Sequence, residues 1–195
     1  LKVKKISIVI PVYNESSNLH DLCKRLTTVT DKLTDFRWEY LFVNDGSSDQ
    51  TLTVLRELSM ISDSYKILDL SRNFGKEIAL TAGVHEAVDS DAVICIDSDL
   101  QHPPELIPEL INVWLKGAEI VATIRISIEK QPLLRRVGSK LFYWLMSKIS
   151  GVDMVSQNTD FRLYDKKVVK SFLQVTERER MFRGIMDWMG FNKVF

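Results

Sequence analysis

The sequence has no apolar run approaching the ~18 residues of a membrane-spanning helix, and its start lacks the charged-then-apolar texture of a secretory leader. As it stands the chain reads as soluble, although an end at Phe195, inside what reads as a strand, suits a piece of a longer protein. Cysteine is scarce. Cys23 falls in a helical pattern and Cys95 inside an apolar run, so both read as small buried hydrophobes in a reducing compartment, not as a disulfide framework. Excess charge is missing too: 26 Lys and Arg meet 26 Asp and Glu, so nothing global draws the chain to nucleic acid or an anionic membrane, and any attraction must come from a local patch. No strand-like run is followed by Gly-x-Gly-x-x-Gly, and Gly-Lys-Ser/Thr occurs nowhere, which disfavours dinucleotide oxidoreductases and P-loop enzymes. What remains is ordinary in proportion, 45% hydrophobic and 27% charged over 195 residues, the make-up of one soluble globular domain.

Strand and helix patterns alternate four times along the chain. The run I-S-I-V-I-P-V-Y at 6–13 is a strand stopped by proline, and Asn14-Glu15-Ser16-Ser17 supplies helix-capping chemistry. Leu19, Leu22, Cys23, Leu26 and Val29 then mark one buried helical face. The plan repeats at 38–43, followed by Asn44-Asp45-Gly46-Ser47-Ser48-Asp49 and a helix striped by Leu52, Leu55 and Leu58. A third strand at 65–70 closes in Ser71-Arg72-Asn73-Phe74-Gly75-Lys76 before a helix through Ile78, Ala79, Ala82 and Val84. The fourth, from Val93, is continuously apolar, as strands covered on both faces are, and Pro104 begins a helix carrying Leu106, Ile107, Leu110, Ile111 and Trp114. This alternation predicts an α/β fold with a mostly parallel sheet and helices on both faces.

The fourth strand ends in Asp97-Ser98-Asp99-Leu100-Gln101, and the carboxyl ends of strands are where open α/β sheets bind ligands. Asp97 and Asp99, at i and i+2, point the same way if the strand persists, and two like charges that close need a cation or a proton between them. Two readings follow: a hard divalent cation shared with substrate phosphates, or a turn in which each Asp caps a neighbouring N–H. Three strands deliver acids to one rim, Glu15, Asp45, and Asp97 with Asp99. A rim that acidic repels a phosphorylated ligand unless a cation is present.

After a short strand at 119–124 that ends at Arg125, the texture changes. Residues 133–149 read as a helix with Leu134, Val137, Leu141, Trp144 and Leu145 on one side and Lys130, Arg135, Arg136 and Lys140 near its start. Either it packs on the core with a solvated basic face, or it lies against anionic lipid. Asn158-Thr159-Asp160-Phe161-Arg162-Leu163-Tyr164 places an acid and an arginine together before an alternating strand, and Arg178, Arg180 and Arg183 sit among apolar residues at 177–188, as a solvated face or a phosphate clamp.

The stretches I-V-I-P-V-Y-N-E, V-N-D-G-S-S-D, L-S-R-N-F-G-K, D-S-D-L-Q-H-P-P-E and D-F-R-L-Y-D, in this order and spacing over nearly the whole chain, resemble family-2 glycosyltransferases with the GT-A fold. The likeness is to the polyprenyl-phosphate branch, which includes dolichyl-phosphate mannose synthase and bactoprenol glucosyltransferases. It implies a single catalytic domain over residues 1–195, cut before C-terminal membrane helices and working at the cytoplasmic face of the plasma membrane. It implies inverting, metal-dependent transfer of a sugar, with UDP-glucose the expected donor and GDP-mannose left open, to a polyprenyl (undecaprenyl) phosphate. Carried over residue by residue, Pro11, Tyr13 and Glu15 line the nucleoside pocket and Asp45 accepts a hydrogen bond from the base. Asp97 faces ribose and metal, while Asp99 and Gln101 ligate Mg²⁺ or Mn²⁺. Asp160 falls at the catalytic acid, Arg162 near the acceptor phosphate, and Arg125, Arg180 and Arg183 around phosphates. One departure is Thr159, where the family often has glycine before the catalytic acid. A phosphate monoester with a second pKa near ~6 is already largely dianionic at neutral pH, so Asp160 is expected to orient more than to deprotonate. Two rival readings are a soluble enzyme with a saccharide hydroxyl acceptor, for which Asp160 is a true base, and a non-catalytic nucleotide-binding module.

Overall fold

The computed structural model describes residues 3–124, 158–175 and 181–195. The helix expected at 133–149 lies outside them, as do Arg125 and Arg180. In chain order the elements are β1 (Lys4–Val12), α1 (Leu19–Thr30), β2 (Phe36–Asn44), α2 (Thr51–Ile61), β3 (Tyr65–Asp69), α3 (Lys76–Glu86) and β4 (Ala92–Cys95). A short 3-10 turn (Pro104–Leu106) runs into α4 (Ile107–Leu115), followed by β5 (Ile120–Ile124), β6 (Asn158–Asp165), α5 (Lys166–Gln174), α6 (Phe182–Trp188) and β7 (Lys193–Val194).

The strands form one seven-stranded sheet in the order β3-β2-β1-β4-β6-β5-β7. It is mostly parallel, and only β6 runs against its two neighbours. Alternate residues feed two separate cores, which is why the central strands are apolar throughout. Ile6, Ile8, Ile10, Ile94, Phe161 and Leu163 pack under α1, α2 and α4. On the other face Val9, Val43, Val93, Cys95 and Tyr164 pack under α3, α5 and α6. Helix α3 lies so close to the sheet that a β-carbon on Gly83 would fall 2.4 Å from Val9 Cγ1.

Two consequences position a site. The chain winds from β1 outward to β2 and β3, then returns to place β4 on the other side of β1, so the crevice at the carboxyl ends of β1 and β4 is a topological switch point. Because β6 is antiparallel to β4 and Cys95 pairs with Arg162, stepping two residues onward from Cys95 and two back from Arg162 brings Asp97 and Asp160 to the same rim and face.

Candidate active site

Four loops build the crevice, and polar contacts among the first three fix its walls. Asn14 adopts a left-handed backbone (φ 55°) and its side-chain oxygen accepts the Ser48 N–H at 2.8 Å. Glu15 N–H donates to Thr51 Oγ1 (2.9 Å), and Ser16 N–H to Asp49. Burial pushes the Asp49 carboxyl up, but hydrogen bonds from Thr51 and Ser16 outweigh it and hold the group at about 2. The third loop, before α3, hangs on Asp45, whose two oxygens accept the N–H groups of Phe74 (2.7 Å) and Gly75 (2.9 Å). Gly46 makes that docking possible, with φ +64° and the Arg72 and Asn73 backbone directly over it.

The open crevice has a volume of about 280 Å³. Pro11, Tyr13, Glu15, Asp45, Lys76, Asp97 and Asp99 are among the residues that line it. Asp45 is 3% exposed and faces the cavity while already holding the α3 loop. Gln101 is exposed and outside this lining, and its N–H donates to Asp99 Oδ1 at 3.0 Å. Among the described residues, the donor that closes on the two carboxylates is His102: one ligand atom each from Asp97, Asp99 and His102 lie within 4.8 Å of one another. His102 is 8% exposed, and its Nδ1 is 3.6 Å from Asp97 Oδ2 with no hydrogen-bond partner. Two carboxylate oxygens and a buried, unspent imidazole nitrogen fit a divalent cation.

Beside this trio stands a chain of alternating charge. Lys76 Nζ is 2.6 Å from Asp97 Oδ1 and 2.6 Å from Asp160 Oδ2, and Arg183 Nη1 is 3.2 Å from Asp160 Oδ1. Burial alone would raise the Asp160 carboxyl, but the hydrogen bond and charge of Lys76, joined by the charges of Arg183 and Arg162, keep it below the ordinary carboxylate range. Burial works against the Lys76 ammonium, and hydrogen bonds to Asp160 and Asp97 more than compensate, so its pKa is raised. At the start of α6 the Phe182 N–H donates to Glu77, so the residue after Lys76 anchors the helix that carries Arg183.

Arg162, expected beside the acceptor phosphate, is fully buried. Its Nη1 donates to Asp187 at 2.8 Å and its Nε to the Thr159 carbonyl at 3.0 Å. Thr159, in place of the expected glycine, uses its hydroxyl: it bonds Thr123 across an irregularity in the β5–β6 pairing and accepts the Phe161 N–H at 3.3 Å. Lys76 and His102 are not singled out by the sequence reading. The legible signal for His102 is its spacing from the acids, Asp-x-Asp-x-x-His, whereas nothing in Lys76's local sequence marks it as the bridge between two acids distant in sequence.

A mostly parallel sheet with one reversed strand and an acid pair at its switch point defines an α/β fold of the GT-A type. The chain belongs to glycosyl transferase family 2, whose model matches residues 7–173. It is 42% identical to an uncharacterized glycosyltransferase, YkcC, of Bacillus subtilis over 96% of its length, and 38% identical over 95% to a prophage bactoprenol glucosyl transferase homolog of Escherichia coli. The chain spans only 57% and 60% of those two proteins. Its fold is also that of glucosyl-3-phosphoglycerate synthase from Mycobacterium tuberculosis, solved with Mn²⁺, UDP-glucose and phosphoglyceric acid. There the TM-score is 0.60 at 20% identity, over 85% of this chain and 58% of that one.

Proposed function

We propose that this chain is the catalytic part of a metal-dependent, inverting glycosyltransferase that moves glucose from UDP-glucose to a polyprenyl phosphate at the cytoplasmic face of the membrane. The observation that carries the reading is the juxtaposition, at one rim, of the Asp97–Asp99–His102 donor set with Asp160 clasped between Lys76 and Arg183. The name of the bactoprenol relative supports the acceptor. Among the described residues no helix is long and apolar enough to cross a membrane.

In this proposal Pro11, Tyr13 and Glu15 hold the nucleoside with Asp45 behind them, and Asp97, Asp99 and His102 hold the cation, with Gln101 next to them. When bound, the ion acts as a Lewis acid on the leaving diphosphate. A nitrogen donor beside two carboxylates suits Mn²⁺ better than Mg²⁺, which favours all-oxygen shells. Lys76 sits where it reaches both the acid at the metal side and the acid at the acceptor side, so it offsets their mutual repulsion and leaves the crevice tolerable to a diphosphate. Arg183 brings a planar fork suited to phosphate oxygens to the Asp160 side. Asp160, an ion-paired carboxylate, is a weak base and a good orienting anion, which favours a phosphate acceptor over a hydroxyl one.

The test is transfer of labelled glucose from UDP-glucose to a short-chain polyprenyl phosphate with Mn²⁺, in the wild type and in Asp99→Ala. The variant is expected to remain folded and lose transfer. Appreciable activity in a folded Asp99→Ala protein assayed with divalent metal would refute the metal role.

A further inference from the structure

The residue in this molecule whose chemistry is least explained by the site is Arg162. Taking a guanidinium fully out of water is unfavourable unless the charge is paired, and a paired buried charge is weak evidence for stability, since apolar packing often serves as well. Its bonds show where it acts. Nε holds the carbonyl of Thr159, the residue immediately before Asp160. Nη1 holds Asp187, one turn of α6 after Arg183, which itself reaches Asp160. One planar group thereby fixes both the strand that presents Asp160 and the helix that presents its cationic partner. Asp187 is also 3.2 Å from Lys193 Nζ, so the same joint extends to the edge strand β7. The remaining nitrogen, Nη2, is buried without a hydrogen-bond partner, so the guanidinium is held by two bonds whose directions a shorter or non-planar cation cannot reproduce together.

We infer that Arg162 is a positioning residue: it sets Asp160 and Arg183 relative to one another through the Thr159 carbonyl and Asp187, and it does not touch the acceptor. This rests on the transferase reading above. The thread from β5 reinforces it, because Thr123 bonds the Thr159 hydroxyl and the Phe161 carbonyl and so holds the strand on either side of Asp160. Asp160 is thus fixed at its backbone from two directions, with Arg162 supplying the link to the helix.

The experiment is steady-state transfer from UDP-glucose to a short-chain polyprenyl phosphate with Mn²⁺, together with calorimetric UDP-glucose binding. It compares wild type, Arg162→Met, Arg162→Lys, Asp187→Asn, Asp160→Asn and the Asp160→Asn/Arg162→Met double variant. A displacement of about 1 Å at a reacting group costs roughly 100-fold, so kcat is expected to fall by that order in Arg162→Met. Arg162→Lys should not rescue it, the KM for acceptor should change little, and donor affinity should match wild type. In the Asp160→Asn background the Arg162 change should cost almost nothing further, because its effect runs through Asp160. A raised acceptor KM at unchanged kcat, full additivity in the double variant, or rescue by lysine overturns the inference. Asp187→Asn, milder because it keeps a hydrogen-bond acceptor, must move kcat in the same direction, and carries the test if Arg162→Met does not fold. Wild-type protein that binds donor and transfers nothing overturns the transferase reading and this inference with it, whereas the contrary variant results above, in a wild type that does transfer, overturn this inference alone.

Discussion

Replacing Gly46 by alanine strikes the joint on which the α3 loop hangs. At φ +64° an L-residue carries a left-handed penalty of about 1–2 kcal/mol. Its β-carbon would lie 2.3 Å from the Arg72 carbonyl carbon and 2.5 Å from the Asn73 nitrogen, both backbone atoms, so no rotamer change relieves the clash. The 71–75 loop must retreat by roughly 1 Å to reach ordinary van der Waals contact. That retreat stretches the bonds from Phe74 (2.7 Å) and Gly75 (2.9 Å) to the Asp45 carboxylate. Hydrogen bonds to a charged group contribute about 1.5–3 kcal/mol each, so with one of the two lost the total is about 2.5–5 kcal/mol. This is a large share of the 5–15 kcal/mol typical of a domain. Urea unfolding should show the midpoint falling at unchanged m. Because Lys76 follows Gly75 directly, the folded fraction should also bind UDP-glucose more weakly. A midpoint shift worth less than ~1 kcal/mol would mean the loop yields freely and that Asp45 does not hold it.

Lys76→Met should leave Asp97 and Asp160 facing each other without their shared ammonium. In the wild type the folded Asp160 pKa is depressed, so its contribution to stability is present above the unfolded value of ~3.9 and is lost as pH falls through the folded one. Removing the lysine takes away the main cause of that depression, so the share of the acid-side loss in urea stability that Asp160 contributes should shrink or vanish; an acid limb as deep as that of the wild type would count against the bridge. Lys76 itself has a raised pKa, so its stabilising contribution is complete below the unfolded value of ~10.4 and disappears as pH climbs through the folded value, a loss that Lys76→Met should not show. UDP-glucose with Mn²⁺ should raise the apparent stability of the wild type by about 2.7 kcal/mol at a hundredfold excess over Kd. Asp97→Asn should abolish that increment, and an equal or larger one from GDP-mannose would reassign the donor.

The sheet was largely legible because its signal is local. Val93, Ile94, Cys95 and Ile96 are apolar in succession because two cores flank them, and both faces are indeed covered. The acids at the ends of β1, β2 and β4 follow from strand ends alone, and Pro11, Tyr13, Glu15, Asp45, Asp97 and Asp99 do share one cavity. What could not be read is set by strand direction and by partners distant in sequence. β6 is inserted antiparallel between β4 and β5, so Asp160 reaches Asp97 only through a register that no local pattern encodes. Arg162 is expected beside the acceptor phosphate, but nothing in the sequence between Phe161 and Leu163 tells that α5 and α6 cover its face of the strand and bury it. The Lys76 bridge spans 84 residues to Asp160, beyond the reach of any periodicity argument.

The charge chain at the rim bears directly on how the acceptor is activated. A general base should titrate near the working pH, whereas Asp160 is held on the acid side by its two cations. A hydroxyl acceptor would need that base. A phosphate monoester does not, since with a second pKa near ~6 it is already mostly dianionic at neutral pH. The acid limb of kcat/KM with a polyprenyl phosphate should therefore belong to the acceptor, fall near ~6, and keep its position in Asp160→Asn even as the rate drops. If that limb vanishes with the carboxylate, Asp160 removes a proton after all, and the Lys76 and Arg183 contacts must open before chemistry begins.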